Sequence, residues 1–234
     1  MRRSICIMTV ILIPAILTVT GFAQVNPVTF QFTGNVTYLL NDYSVPIDAS
    51  VSVGTSFTGS YTFESTTLDS NSDPAIATYQ DNLISWTGNI GNYTFNLIPL
   101  PYNNGISVAN NWESPSGYFQ DVYNVIGVPL AESTLIKQGG VMLIYFSVGS
   151  NVAPTALTNT SLPIVPPDPS LFTDQHTFQV DAYPIGSSNY FTILGNVDSL
   201  TVASQAVPEP ATMLLLGSGL IGLAGYGRKK FFKK

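Results

Sequence analysis

The sequence is poor in the residues on which many enzymes depend, since it contains one cysteine and one histidine. Cys6 lies in a segment that we expect to be removed, so the mature chain would have no disulfide, no thiolate metal ligand and no cysteine nucleophile. His176 would have to serve any Ser-His-Asp triad, yet residues 24–204 contain no Gly-x-Ser-x-Gly elbow. Because a strand-like pattern follows His176, we interpret it as a structural or surface histidine without a catalytic role.

Basic residues are also scarce between the two ends of the chain. Residues 24–204 hold thirteen of the fourteen acidic residues but one of the eight cations, Lys137, which gives a formal charge of −12. A domain with this charge would repel nucleic acid and anionic membrane surfaces. Cations, basic partners and neutral polysaccharide remain as ligand classes, although the charge would also serve solubility alone.

The first residues have the pattern of a signal peptide. Arg2 and Arg3 precede an apolar run over residues 5–19, and Gly21-Phe22-Ala23 places small residues at both outer positions of a cleavage site. We therefore expect export by the general secretory route, removal of residues 1–23, and cleavage between Ala23 and Gln24. The alternative is an N-terminal anchor that is not cleaved.

Residues 205–234 form a tail with three parts in a fixed order. A stiff acidic tetrapeptide, Val207–Pro210, precedes an apolar segment at 211–226, which predicts a transmembrane helix. Its 16 residues are fewer than the roughly 20 that a comfortable span needs. Basic residues stay on the cytoplasmic side, so the domain before the tail would lie outside. The five cations that follow the helix are Arg228, Lys229, Lys230, Lys233 and Lys234.

This tail resembles the PEP-CTERM sorting signal of bacterial proteins. The resemblance implies that a membrane enzyme, an exosortase, recognises Pro208, Glu209 and Pro210, while 211–226 acts as the helix and the basic residues at 228–234 act as a stop signal. It also implies a membrane-anchored intermediate, followed by delivery to the cell envelope surface or extracellular matrix. A plain C-terminal anchor is the alternative.

The middle of the chain, residues 24–204, has the pattern of one all-β domain. Apolar and polar residues alternate in short runs between turn residues, as in Val28, Phe30 and Phe32, and Gly34 predicts a bulge. A proline-rich stretch at 162–169 predicts a crossing loop. We expect a single β-sandwich, jelly-roll-like or immunoglobulin-like, without the paired cysteines of true immunoglobulin domains. The predicted strands are 28–38, 51–63, 84–86, 93–97, 106–109, 118–125, 141–148, 177–182, 190–194 and 197–202.

Several segments of this domain also look like uncharacterised ectodomains that are found ahead of PEP-CTERM tails. They are Gly59-Ser-Tyr-Thr-Phe63, the loop at 69–73, Tyr79-Gln80, and Ile90-Gly-Asn-Tyr-Thr-Phe95. This likeness supports a β-rich fold and implies no activity.

One loop carries oxygen ligands at alternate positions, as does the first half of a calcium-binding loop. Asp69, Asn71 and Asp73 would supply a weak calcium site. However, Pro74 replaces the glycine of that pattern and Gln80 replaces its bidentate glutamate. Asp and Asn are also common in ordinary surface turns, which is the alternative interpretation. Apart from this weak calcium site, we expect no cofactor.

Two turn-rich segments hold aromatic residues that would suit carbohydrate binding. Tyr102, Trp112 and Tyr118 lie among asparagine, glutamate, serine and glycine residues. An exposed aromatic ring offers a flat apolar face on which a sugar ring stacks. The alternative is that Trp112 packs into the edge of the fold, since large aromatic residues are mostly buried.

Three functions follow from these features. The first is a non-enzymatic protein of the cell surface or matrix, sorted by an exosortase and associated with exopolysaccharide. The second is a carbohydrate-binding module, and the third is a secreted glycan hydrolase that uses two of the thirteen carboxylates. A β-sandwich is compatible with all three functions.

Overall fold

A computed structural model describes residues 27–41, 43–97, 104–130, 136–184 and 187–203. The predicted signal peptide with its Ala23–Gln24 cleavage site, Tyr102, and the sorting tail lie outside these residues. In the described part, the regular structure is eleven strands and one 3₁₀ turn, Pro169–Leu171. The strands are β1 (Pro27–Leu40), β2 (Ser56–Glu64), β3 (Ile76–Gln80), β4 (Leu83–Ile90), β5 (Tyr93–Leu97), β6 (Gly105–Glu113), β7 (Phe119–Gly127), β8 (Pro129–Leu130), β9 (Ile136–Ser150), β10 (Gln175–Pro184) and β11 (Phe191–Val202).

The strands form one continuous antiparallel sheet with the order β3-β6-β7-β9-β10-β11-β1-β2-β4-β5-β8. The sheet curls so that its two halves face each other. Tyr61 on β2 and Tyr123 on β7 lie five places apart in the order, yet their hydroxyl oxygens are 2.8 Å apart. The all-β prediction is therefore confirmed, whereas the hydrogen bonding does not divide the strands into two sheets. The finer description as a jelly-roll-like or immunoglobulin-like sandwich stays a prediction.

Aromatic side chains fill the space between the two halves. On β1, Phe30, Phe32 and Val36 are buried while Gln31 and the other alternate residues face solvent, as the period of two predicts. Phe57 of β2 stacks on Phe178 of β10 with 4.8 Å between ring centroids. The fully buried large side chains include Trp86, Tyr61, Tyr93, Tyr123, Phe30, Phe32, Phe57, Phe63, Phe95, Phe146, Phe172 and Phe178.

Glycines permit the backbone geometry at a bulge and at a hairpin turn. The pairing of β1 with β11 shifts register between Thr33 and Gly34, which confirms the predicted bulge. A Cβ at Gly34 would collide with the backbone carbonyl oxygen of Asn196. Strands β4 and β5 form a hairpin, and its turn contains Gly91, whose φ of 56° favours glycine.

Some predicted strand boundaries were wrong. Residues 51 and 53 precede β2, which begins at Ser56, because the chain turns there and Gly54 donates its N–H to the carbonyl of Val36. The predicted strands 190–194 and 197–202 are one strand, β11. The pattern did not predict β3, and β9 begins five residues earlier than predicted.

The first and last described strands are neighbours. Phe30 of β1 lies opposite Val202 of β11, and the N–H of Ala203 donates to the carbonyl of Thr29 with 2.9 Å between the atoms. The chain therefore enters and leaves the domain at the same end of the sheet. Strand β11 is sixth of the eleven in the order, so it is central and paired on both sides.

Candidate functional site

Trp112 and Tyr118 lie on the outer face of the sheet. Trp112 is opposite Gln120 on β7, and Gln120 is opposite Gly149 on β9. Opposite residues share a face of the sheet, and Gln120 faces outward because its neighbour Asp121 is fully buried. The Tyr118 ring lies against Gly149, where it occupies the space that a Cβ would fill. We call Trp112, Gln120, Gly149 and Tyr118 the aromatic row.

A buried carboxylate fixes the strand that carries Trp112. The β6–β7 register shifts between Ala109 and Trp112, and Asn111 within this bulge has a φ of 52°. Asp121 accepts hydrogen bonds from the N–H of Asn111 and from that of Leu157, each with 2.8 Å between the atoms. The bulge thus determines the face on which Trp112 lies. The sequence placed Trp112 in a loop and gave no role to Gln120 or Asp121.

A tight turn positions Tyr118. The N–H of Ser114 donates to the carbonyl of Tyr118 at 2.8 Å, and the N–H of Tyr118 donates to the Ser114 hydroxyl at 3.2 Å. Gly117 in this turn has a φ of 76°, which suits glycine. Both aromatic side chains of the row are part-buried, so part of each remains accessible to solvent.

The aromatic row has the chemistry of a sugar-stacking surface. Trp112 and Gly149 are two strands apart, roughly 10 Å at the usual strand spacing. Two flat rings therefore flank the Gln120 amide, which can donate and accept hydrogen bonds. The chemistry of these residues fits a neutral, hydroxyl-rich ligand.

The Asp69–Asp73 loop folds as a series of turns against the edge strand β3. Asp69 Oδ1 accepts from the N–H of Asn71 at 2.8 Å and from that of Thr78 at 2.9 Å. Asn71 Oδ1 accepts from the N–H of Asp73 at 3.0 Å, and Asp73 Oδ1 accepts from that of Ala75 at 2.9 Å. These contacts occupy one side-chain oxygen of each predicted calcium ligand and cover part of the exposed edge of the sheet.

Within the described ranges, no three His, Cys, Asp or Glu side chains cluster as a metal site requires. The predicted calcium site includes the Asn71 amide, and asparagine is not among these four residue types. The calcium site therefore stays a prediction. His176 lies on β10, part-buried, and its Nδ1 donates to the carbonyl of Val197 at 2.9 Å. This hydrogen bond links the His176 side chain on β10 to the backbone of β11.

The proline-rich segment is irregular, as predicted, and it borders a cleft. The cleft has a volume of about 390 Å³ and is open to solvent. Its walls come from β6 and from the segment at 156–167, and they include Val108, Leu157, Leu162 and Ile164. The N–H of Leu157 at this cleft is one of the two donors to Asp121. The buried Asp121 carboxylate therefore connects the cleft wall to the bulge that precedes Trp112.

Comparison with protein families finds a match in the tail. Residues 206–229 match the PEP-CTERM protein-sorting motif, and this range contains Pro208, Glu209 and Pro210. Comparison with curated proteins finds no match. In the part of the chain that the structure describes, no helix is long and apolar enough to cross a membrane. The motif implies an exported protein that an exosortase-type membrane enzyme processes, and the chain thus carries a PEP-CTERM sorting motif behind a β-rich domain.

Proposed function

We propose that this chain is a non-enzymatic protein of the cell surface or extracellular matrix, which associates with exopolysaccharide after its tail is processed. The sorting motif at residues 206–229 carries this proposal. The motif follows a single β-rich domain, so the domain is the part that would remain outside the cell. The curled sheet with its two facing halves also supports a sandwich-like description of this domain.

The tail would act as a temporary anchor. The apolar segment at 211–226 is short for a permanent span, and its glycines weaken an isolated helix by about 1 kcal/mol each relative to alanine. Arg228 and Lys229–Lys234 would hold the C-terminus in the cytoplasm. Pro208–Pro210 would then lie outside the membrane, within reach of an enzyme that faces away from the cytoplasm.

A Glu209→Ala substitution tests the sorting step. The wild-type protein should appear in a shorter form that lacks residues 228–234, while the variant should remain full-length in the membrane fraction. Glu113→Ala is the matched control, because it removes an exposed carboxylate of the domain and should leave processing unchanged. Immunoblotting of cell fractions with a tag in the domain, together with mass spectrometry of the C-terminus, gives the answer. If wild type and Glu209→Ala are both full-length and fractionate alike, the tail is a simple anchor.

The aromatic row favours a second candidate function, a carbohydrate-binding module. Trp112 and Tyr118 present two rings on one outer face, and Gln120 lies between them. Trp112→Ala should weaken the retention of the protein in native gels that contain a neutral glucan. Val53→Ala, on an exposed turn residue elsewhere, is the control. Retention equal to that of wild type would remove this surface from the proposal.

A further inference from the structure

Three tyrosines from separate segments of the chain lie together near the ends of β1, β10 and β11. The rings of Tyr43 and Tyr190 are 5.9 Å apart between centroids, and those of Tyr183 and Tyr190 are 5.3 Å apart. Tyr43 is 56% exposed, whereas Tyr183 and Tyr190 are part-buried. We call these residues the tyrosine cluster. The cluster lies outside the buried core, so core packing does not account for the exposed Tyr43 ring.

Hydrogen bonds form between described residues on both sides of the cluster. The Asn41 side chain donates to the carbonyl of Val45 and accepts from its N–H, both at 2.8 Å. This clamp holds the turn that carries Tyr43, and the buried Val45 side chain attaches it to the core. Tyr183 and Tyr190 flank the β10–β11 connection, in which the N–H of Ser187 donates to the carbonyl of Pro184 at 3.1 Å.

The neighbourhood of the cluster offers hydrogen-bonding groups and further apolar surface. On β10, Asp181 lies two residues before Tyr183, on the same face, and its Oδ1 accepts from the Thr192 hydroxyl at 2.8 Å. On β1, Tyr38 and Leu40 are opposite Leu194 and Thr192, and they are 54% and 37% exposed. Rings, hydroxyls and a carboxylate thus adjoin on one face.

The cluster and the aromatic row lie at opposite ends of one outer face. Gln175, at the start of β10, pairs with Ser147, two residues from the Gly149 of the aromatic row. Tyr183 lies eight residues further along β10, which corresponds to about 26 Å at 3.3 Å per residue. A ligand that contacts both places must therefore be a chain rather than a single sugar.

We propose that Tyr43, Tyr183 and Tyr190 form a second contact surface for a neutral polysaccharide chain, which would reach the aromatic row along the same face of the sheet. This inference rests on the proposed function. Flat rings beside hydroxyls suit the apolar faces and hydroxyl groups of sugars. The charge argues against an anionic polymer, since Asp181 adjoins the cluster and residues 24–204 have a formal charge of −12, which would repel a polyuronate. Two contact surfaces on one domain would also raise the avidity for a long chain.

The test measures binding of the full-length chain in detergent by native affinity electrophoresis. The embedded probes are the neutral glucans dextran, pullulan and hydroxyethylcellulose, with alginate as the anionic polymer. Tyr43→Ala should weaken binding to at least one neutral glucan about tenfold, equivalent to roughly 1.4 kcal/mol. Tyr43→Phe retains the ring and should bind nearly as wild type does. Because Tyr43 is mostly exposed, both variants should fold, which thermal melting verifies.

The outcomes separate this inference from the proposed function. Weaker binding of Tyr43→Ala to a neutral glucan, with Tyr43→Phe unaffected, supports the tyrosine cluster as a contact surface. If Trp112→Ala loses binding and Tyr43→Ala does not, the tyrosine cluster is not a contact surface, whereas the aromatic row is one. Equal binding of alginate, or no binding of any neutral glucan by the wild type, also overturns the inference. The Glu209→Ala processing experiment is independent of all these results.

Discussion

The buried tyrosine pair gives a direct test of how the sheet closes. Tyr61 and Tyr123 come from opposite halves of the curled sheet, both rings are fully buried, and their hydroxyls are 2.8 Å apart. Tyr61→Phe removes one hydroxyl and leaves the Tyr123 hydroxyl buried without this partner. The same holds for Tyr123→Phe with respect to Tyr61. The double variant removes both hydroxyls and leaves an apolar contact.

The expected energies follow from this geometry. A buried hydroxyl that loses its partner costs about 1–3 kcal/mol, so each single variant should lower the free energy of unfolding by that amount. Replacing both partners with apolar groups of the same shape is nearly neutral, so the double variant should lie within about 1 kcal/mol of wild type. The coupling energy from the double-mutant cycle should then exceed about 1 kcal/mol.

Equilibrium unfolding in urea measures these energies. Trp86 is a suitable fluorescent reporter, because it is buried and its ring centroid lies 5.6 Å from that of Tyr61. Tyr43→Phe serves as the control, since it removes an exposed hydroxyl and should leave stability unchanged. If the losses of the two single variants simply add in the double variant, the two hydroxyls do not interact and the halves do not meet at this contact.

Three further predictions concern pH, a glycine and the edge of the sheet. Burial raises the pKa of Tyr61 and Tyr123 above the usual 10, so the folded state holds these protons more tightly than the unfolded state does. The free energy of unfolding should therefore fall as the pH rises above about 10, and it should fall less steeply in the double variant. Urea titrations at each pH measure this dependence. Gly34→Ala should lower the melting temperature by several degrees, because its Cβ would strike a backbone carbonyl; Gly54→Ala, where the space is open, tests backbone strain alone. Asp69→Ala should increase amide hydrogen exchange at Thr78, and millimolar calcium should raise the wild-type melting temperature slightly if the loop binds it.

Local patterns predicted much of the fold. The alternation of Phe30 and Phe32 with polar residues identifies the buried face of β1, and the turn at Gly91 correctly joins β4 to β5. The sequence could not predict that the strands form one sheet, because the two halves are joined by the pairing of β1 with β11, in which Phe30 lies opposite Val202 at the other end of the domain sequence. Strand β3, which the pattern did not predict, follows a loop rich in Asp and Asn. Asp69 in this loop accepts a hydrogen bond from the N–H of Thr78 on β3.

At the candidate surfaces too, local patterns predict some residues, whereas the arrangement depends on contacts between distant segments. Trp112 and Tyr118 are identifiable in the sequence because they lie among turn residues. Whether both lie on the same face of the sheet depends on the bulge that Asp121 stabilises. The tyrosine cluster left no local signal, since Tyr43 is more than a hundred residues from its two partners and meets them because β1 pairs with β11. Side chains from distant segments form a surface that no short pattern contains.

The central position of β11 has a mechanical consequence. A domain held through the residues that follow Ala203 receives any pulling force through β11, which is hydrogen-bonded to β1 on one side and to β10 on the other. Tension along this strand loads both ladders in shear, so many backbone hydrogen bonds, which run perpendicular to the strands, must break together. An edge strand pulled along its axis would resist with one such ladder instead of two. Attachment at this central strand would therefore resist a pulling force better than attachment at an edge strand.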